Sequence, residues 1–152
     1  MFYHQTVIIP LITKLGFDIN DPWQLTSKET IDSAASLPYG QERKNAWKRI
    51  NPIIGRCNEE GIEGSDIIVA ILDGSDVDSG TAAEIGYGAA KGKTCFGYRS
   101  DFRLSADNDG SIVNLQVEYW IYKNGGKIVT TIEELEKVLK EYKEKFLKQE
   151  EN

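Results

Sequence analysis

The stretch "DIIVAILD", Asp66 to Asp73, constrains the fold of this chain more than any other. Its apolar residues run continuously, are largely β-branched and are bounded by turn-forming residues. That is the pattern of a parallel strand buried on both faces. A parallel neighbour requires a crossover connection, usually a helix. The next residues supply both: Thr81 to Lys91 predicts a helix closed by Gly92, and "KTCFGYR" predicts the following strand.

The rest of the chain fits the same scheme. Val7, Ile8, Leu11, Ile12 and Leu15 give Tyr3 to Leu15 a helical spacing, with Pro10 delaying or kinking the helix and Gly16 as its C-cap. "FDIND" alternates like a short strand and "PW" ends it. Gln24 to Gly40 is polar and reads as a long loop carrying some helix. Gln41 to Glu60 predicts a helix, with Asn51-Pro52 breaking it or starting a new turn, and Gly61 to Ser65 a turn. After a polar loop from Ser100 to Gly110, "SIVNLQVEYWIYK" reads as either strand or helix, and helix is the expectation. "KIVT" predicts a last strand. The final helix is amphipathic and opens on a capping box, Thr131 with Glu134 three residues later. Strands alternating with helices imply an α/β fold: a three-layer αβα sandwich with a parallel sheet, flavodoxin-like or Rossmann-like, in one domain spanning 1–152.

Composition bounds the function. The formal net charge of −6 argues against a nucleic-acid-binding face, which needs basic residues to displace counterions. No stretch approaches the roughly 20 apolar residues of a membrane span, and the first residues lack a basic leader and a cleavage site. The cytoplasm is therefore the expected compartment. Cys57 and Cys95 lack CxxC spacing and read as core residues. His4 is the only histidine, so neither a His/Cys zinc site nor a Ser-His-Asp triad is expected, and no metal or cofactor is assigned. Chemistry here must run on carboxylates, hydroxyls, amides or backbone groups.

In open parallel sheets ligands sit beyond the carboxyl ends of the strands. There the chain reads "DGSDVDSGTAAEIGYGAAKGK", with Asp73, Asp76 and Asp78 crowded together and Glu84 following. Neither GxGxxG nor GxxxxGK[ST] is present, and three aspartates would repel a phosphate. A calcium loop fails too: counted from Asp76, Gly80 takes a ligand position and Tyr87 the place of the bidentate glutamate. Two readings remain. Thr81 and Glu84 fit a capping box, with Asp76 or Asp78 favouring the helix N-terminus. Alternatively, carboxylates at the mouth of the sheet suit glycosyl chemistry, one attacking the anomeric carbon while another group handles the leaving group's proton. The small residues of "AAEIGYGAA" leave room for close approach, or serve tight helix packing.

The run "GSDIIVAILDGSDVDSGTAAEIGYGAAKGK" resembles the signature of the nucleoside 2-deoxyribosyltransferase family: Asp before a buried strand, then D-x-G-x-x-x-E-x-G-Y/R-A. Asp66 precedes the strand here, and Asp78, Gly80, Glu84, Gly86 and Tyr87 follow it. Downstream, Asn114 and Leu115 resemble the family's Asn-Leu pair. The resemblance implies Glu84 as the nucleophile that forms a covalent 2-deoxyribosyl ester. It implies base contacts from Asp66 and Asp78, with Asp78 the proton donor to the departing ring nitrogen. Asn114 would meet the sugar's 5′-hydroxyl, often from a neighbouring subunit, which implies a homo-oligomer. Trp23 and Phe102 are given to stacking on the base, against the ordinary reading of large aromatics as core. Arg99 and Arg103 read as loop surface charges, and Asp73 and Asp76 as strand terminators. The partners implied are 2′-deoxynucleosides and free bases.

Family members normally begin with a strand ending in a Tyr-Leu-Ala-Gly/Ser-Pro-like stretch, whereas "MFYHQTVIIP" falls where the first helix belongs. The sheet is therefore expected to lack the usual first strand, and upstream residues, if encoded, to raise melting temperature and turnover. Two other functions compete with base exchange. One is an N-glycosidase of deoxynucleoside 5′-monophosphates, which would need a phosphate pocket of Ser and Arg where this chain has "SDVDSG". The other is a catalytically silent nucleoside-binding module, which fold alone does not exclude.

Overall fold

The computed structural model describes residues 3–103 and 106–150. Its contacts divide the chain into two compact units, one built from the residues up to Ile19 and from Asp66 onward, the other from Asn20–Ser65.

The first unit is a three-layer α/β sandwich. Three parallel strands, β1 (Ile67–Ile71), β2 (Thr94–Tyr98) and β3 (Lys127–Val129), lie in the order β1-β2-β3. Ile67 pairs with Thr94 and Ile71 with Tyr98, while Phe96 pairs with Lys127 and Tyr98 with Val129. Period-two alternation sends β1 side chains both ways, and both faces are covered. Ile67, Val69 and Ile71 join one apolar cluster with Ile8, Leu11, Ile12, Leu135 and Leu139, from α1 (Ile9–Lys14), the turn before it and α7 (Ile132–Glu150). Ile68, Ala70 and Leu72 join the other with Ile85, Val117 and Ile121, from α5 (Ser79–Ala90) and α6 (Leu115–Lys123). The continuous apolar run is thus explained by helices on both sides. Within the sheet, however, β1 is an edge strand: among the described residues no strand pairs with its outer side.

Pro10 acts as expected. His4–Ile8 is a π-helical turn that runs directly into the α-helix from Ile9, with Pro10 in the first α turn, so the regular hydrogen-bond ladder is interrupted at the proline. Gly16 follows with φ +77°, the left-handed position after a helix. "FDIND" is not a strand. Phe17 and Ile19 pack against the first cluster from an irregular segment that pairs in no sheet among the described residues, so alternation here reports burial without sheet.

The capping box of α7 is present. Thr131 Oγ1 accepts from the Glu134 N–H (3.2 Å), and Glu134 Oε2 accepts from the N–H groups of Thr130 (2.9 Å) and Thr131 (3.3 Å). Thr131→Ala is expected to cost about 1 kcal/mol. In a thermal melt the midpoint should fall by roughly 2–4 °C; an unchanged midpoint would show that Thr130 alone suffices.

In the second unit, Asp21 caps α2 (Pro22–Leu25), Ser27 caps α3 (Lys28–Ala35), and α4 (Gln41–Glu63) packs on α3 through Ala34, Ala46 and Ile50. The segment read as mostly loop is mostly helix. Nor does Asn51-Pro52 break α4, which runs through Pro52 for 23 residues. Pro52 and Lys48 are both exposed, so the carbonyl that loses its partner at the proline is open to water.

Candidate active site

α5 and α6 run back against the strands they connect, so their N-termini lie at the carboxyl edge of the sheet. The crowded aspartates sit there, and each is met by backbone N–H groups. Asp73 leaves the end of β1 and accepts from the N–H of Ser100 (2.6 Å), the Ser100 hydroxyl (2.7 Å) and the N–H of Asp101 (2.9 Å). Asp76 accepts from the N–H of Val77 (2.7 Å), which turns the loop so that Val77 is buried. Asp78 is the N-cap of α5, its Oδ1 accepting from Gly80 N–H (2.9 Å) and Thr81 N–H (3.1 Å). Like charges close in sequence are thereby directed to three different sets of donors. The turn that separates them needs a glycine: Gly74 has φ +129°, and a Cβ there would meet the Asp76 carbonyl at 2.9 Å.

This geometry bears on the capping-box reading of Thr81 and Glu84. With Asp78 as N-cap, the N3 position falls on Thr81, so Thr81 and Glu84 do not form a capping box. Glu84 is half-buried on α5, about 9 Å along the axis from Asp78. Gly80 takes the second helical position, where a Cβ would lie 3.0 Å from Asp78 Oδ1. The glycine-alanine face proves to be largely packing. Ala82, Ile85 and Ala89 enter the second cluster, and a Cβ at Gly86 would make an ordinary 3.7 Å contact with Trp120.

Asn114 also lies at this edge, as the N-cap of α6. Its Oδ1 accepts from Gln116 N–H (3.0 Å) and Val117 N–H (3.4 Å), and its Nδ2 approaches Asp107. Phe102 stands in the loop after β2, 92% exposed, and is not core. An open cleft of about 520 Å³ is lined by Asp73, Ser100, Asp101, Phe102 and Arg103. Trp23 belongs to the second unit and is exposed there as well.

Asp66 lies apart from the other candidate carboxylates. It precedes β1, whereas Asp73 and Asp78 follow it, and the five residues of β1 span about 17 Å. Within one chain it stands at the opposite edge of the sheet from Asp73 and Asp78. It lies instead toward Tyr142 of α7, whose hydroxyl pKa is raised first by burial and then by the Asp66 charge.

Two features at the edge are missed by the sequence reading. Arg99, expected as a surface charge, is 1% exposed. Its guanidinium donates to the carbonyls of Leu72, Gly74 (3.2 Å) and Arg103 (2.5 Å). Its position directly after β2, in register with the end of β1, was the available signal. Tyr3 stacks on the buried Tyr98, ring centroids 5.9 Å apart, and their hydroxyls bond at 3.0 Å. That bond, then burial, then the nearby charges of Tyr98 and Asp73, push the Tyr3 hydroxyl up to about 12. Arg103, as expected, is exposed; it pairs with Asp101 (2.5 Å) and holds that carboxyl well below the usual range. Among the described residues no group of three His, Cys, Asp or Glu side chains is placed to hold a metal, and no helix is long and apolar enough to cross a membrane.

A parallel sheet with carboxylates, a hydroxyl and an open aromatic beyond its strand ends defines an α/β protein with a candidate small-molecule site. The chain belongs to the nucleoside 2-deoxyribosyltransferase family, whose model matches residues 4–116. The crystal structure of a conserved protein from Enterococcus faecalis V583 shares the fold, with a TM-score of 0.59 at 21% identity over 92% of this chain and 88% of that one. No curated protein matches the chain. Family membership supports an enzyme of glycosyl-transfer or glycosidase type with nucleoside substrates.

Proposed function

We propose that this protein exchanges the base of 2′-deoxyribonucleosides through a covalent deoxyribosyl ester on Glu84. The observation that carries the reading is the start of α5: Asp78 caps the helix at the carboxyl edge of the sheet, and Glu84 follows it, half-buried, on the same helix. In the first displacement a Glu84 carboxylate oxygen attacks the anomeric carbon, the N-glycosidic bond breaks, and Asp78 gives its proton to the departing ring nitrogen. In the second, an incoming base attacks the same carbon from the opposite face, returns its proton to Asp78 and releases Glu84. Two inversions give net retention. Phe102 stacks on the base and Gly80 keeps the approach to Asp78 open. Asn114 takes the 5′-hydroxyl, and in a homo-oligomer it does so from a neighbouring copy. The exposed Leu115, Tyr119 and Tyr122 that follow it along α6 are consistent with a face that a second copy covers.

Incubation with deoxyinosine and free adenine, followed by chromatography, tests the reading. Deoxyadenosine is the expected product. Free deoxyribose would replace transfer by hydrolysis, and unchanged substrate would leave a binding module.

Asp78→Asn is expected to keep the fold, because asparagine caps a helix as well as aspartate does. It cannot deliver a proton, so activity should fall by roughly 10²–10⁴-fold with poor leaving groups and recover in part with activated ones. Equal losses for both kinds of substrate, measured as kcat/KM, would reduce Asp78 to a capping residue.

A further inference from the structure

We propose that Asp73 and Arg99 are positioning residues for the base: together they lock the loop after β2, with its Phe102 ring, to the β1–α5 loop that carries Asp78. The proposal rests on the nucleoside reading above and names what sets one wall of its base pocket.

Arg99 carries a full charge into a buried position, where no carboxylate pairs with it among the described residues and its Nε finds no hydrogen-bond partner. Burying a charge so incompletely matched is costly. What the cost secures is geometry. The guanidinium spans the carbonyls of Leu72 and Gly74 on one loop and Arg103 on the other. Asp73 works in the opposite sense, reaching from the first loop to the N–H groups of Ser100 and Asp101 and the Ser100 hydroxyl on the second. Phe102 lies between these anchors, Ser100 and Asp101 on one side and Arg103 on the other. An aromatic ring 92% exposed on a loop is ordinarily mobile, and it pays ordering entropy when it stacks on a ligand. Here the backbone on both sides of the ring is tied down in advance. Neither Asp73 nor Arg99 needs to touch the reacting atoms for this effect.

The test uses the full chain and base exchange between deoxyinosine and adenine. Phe102→Ala and Asp73→Ala should each raise KM for adenine by about tenfold, the worth of one aromatic contact, with kcat little changed. The double variant should be no worse than either single one, because both act through the same ring. Asp73→Asn should restore most of the loss, since its amide oxygen accepts the same two N–H groups. Ser100→Ala, which removes a single bond, should shift KM less in the same direction. Amide hydrogen exchange at residues 100–103 should speed up in Asp73→Ala and not in Phe102→Ala. A fall in kcat at unchanged KM would put Asp73 in the chemistry and overturn the proposal, as would additive losses in the double variant or unaltered exchange. If the parent chain neither transfers nor hydrolyses, the nucleoside reading fails by itself. The exchange rates, with calorimetric titration of free adenine into parent and Asp73→Ala, then decide the clasp independently: equal binding and equal exchange would refute it.

Discussion

Glu84→Ala is expected to abolish base exchange, by roughly four orders of magnitude or more, as loss of an enzymic nucleophile does. The fold should survive the change. Asp78 supplies the N-cap of α5, and alanine is the better helix former. Circular dichroism and the melting temperature of the variant should therefore match the parent while product formation vanishes. A complementary result comes from a 2-fluoro-arabinosyl nucleoside, whose fluorine slows departure of the ester. Mass spectrometry should find the sugar on the peptide that contains Glu84. Full activity in the alanine variant, or label on another carboxylate, would end the mechanism proposed for this residue.

The largest expected effect on stability lies away from the site, at Gly126. The turn from α6 into β3 passes so close to β2 that a Cβ here would fall 1.7 Å from the Cys95 carbonyl oxygen and 2.6 Å from that of Ile121. Both obstacles are backbone, so no side chain can swing aside. Gly126→Ala should destabilise by about 3 kcal/mol or more. At roughly 2–4 °C per kcal/mol, the melting temperature should drop by about 10 °C. Gly55 gives the matched control. It is exposed within α4 with nothing near a new Cβ, and Gly55→Ala should stabilise by about 0.5–1 kcal/mol. Equal melting of the Gly126 variant and the parent would mean that the two backbones do not approach as described.

The sequence announces those elements whose pattern follows from one local cause. "DIIVAILD" is apolar throughout because α1 and α7 cover one face and α5 and α6 the other, and the Thr131–Glu134 box needs only three residues of spacing. Elements that depend on partners far along the chain are not legible in this way. Phe17 and Ile19 alternate as a strand does, yet they join no strand ladder among the described residues. Pro52 carries a breaker's chemistry but sits where water can take over the lost hydrogen bond. At the site, the acidic stretch marks the carboxyl edge correctly, and the local geometry then shifts the cap from Thr81 to Asp78. Asp66 matches a motif position, yet five residues of β1 carry it to the far edge. Arg99 is invisible as a buried residue because its acceptors are carbonyls, which every sequence has and none displays.

The outer side of β1 has a consequence for how the protein behaves when concentrated or partly unfolded. "IIVAI" is short, uncharged, rich in β-branched residues and free of proline, the composition of segments that stack into cross-β assemblies. Its outer backbone groups have no strand partner among the described residues, which makes it a template for intermolecular pairing. A negative charge stands at either end, Asp66 before the strand and Asp73 after it. Stacked in register, copies of this segment would bring both rows of carboxylates together at the 4.7–4.8 Å spacing of such assemblies. Asp66 thus places a charge where it would oppose in-register pairing of the chain's most strand-forming segment with its own copies.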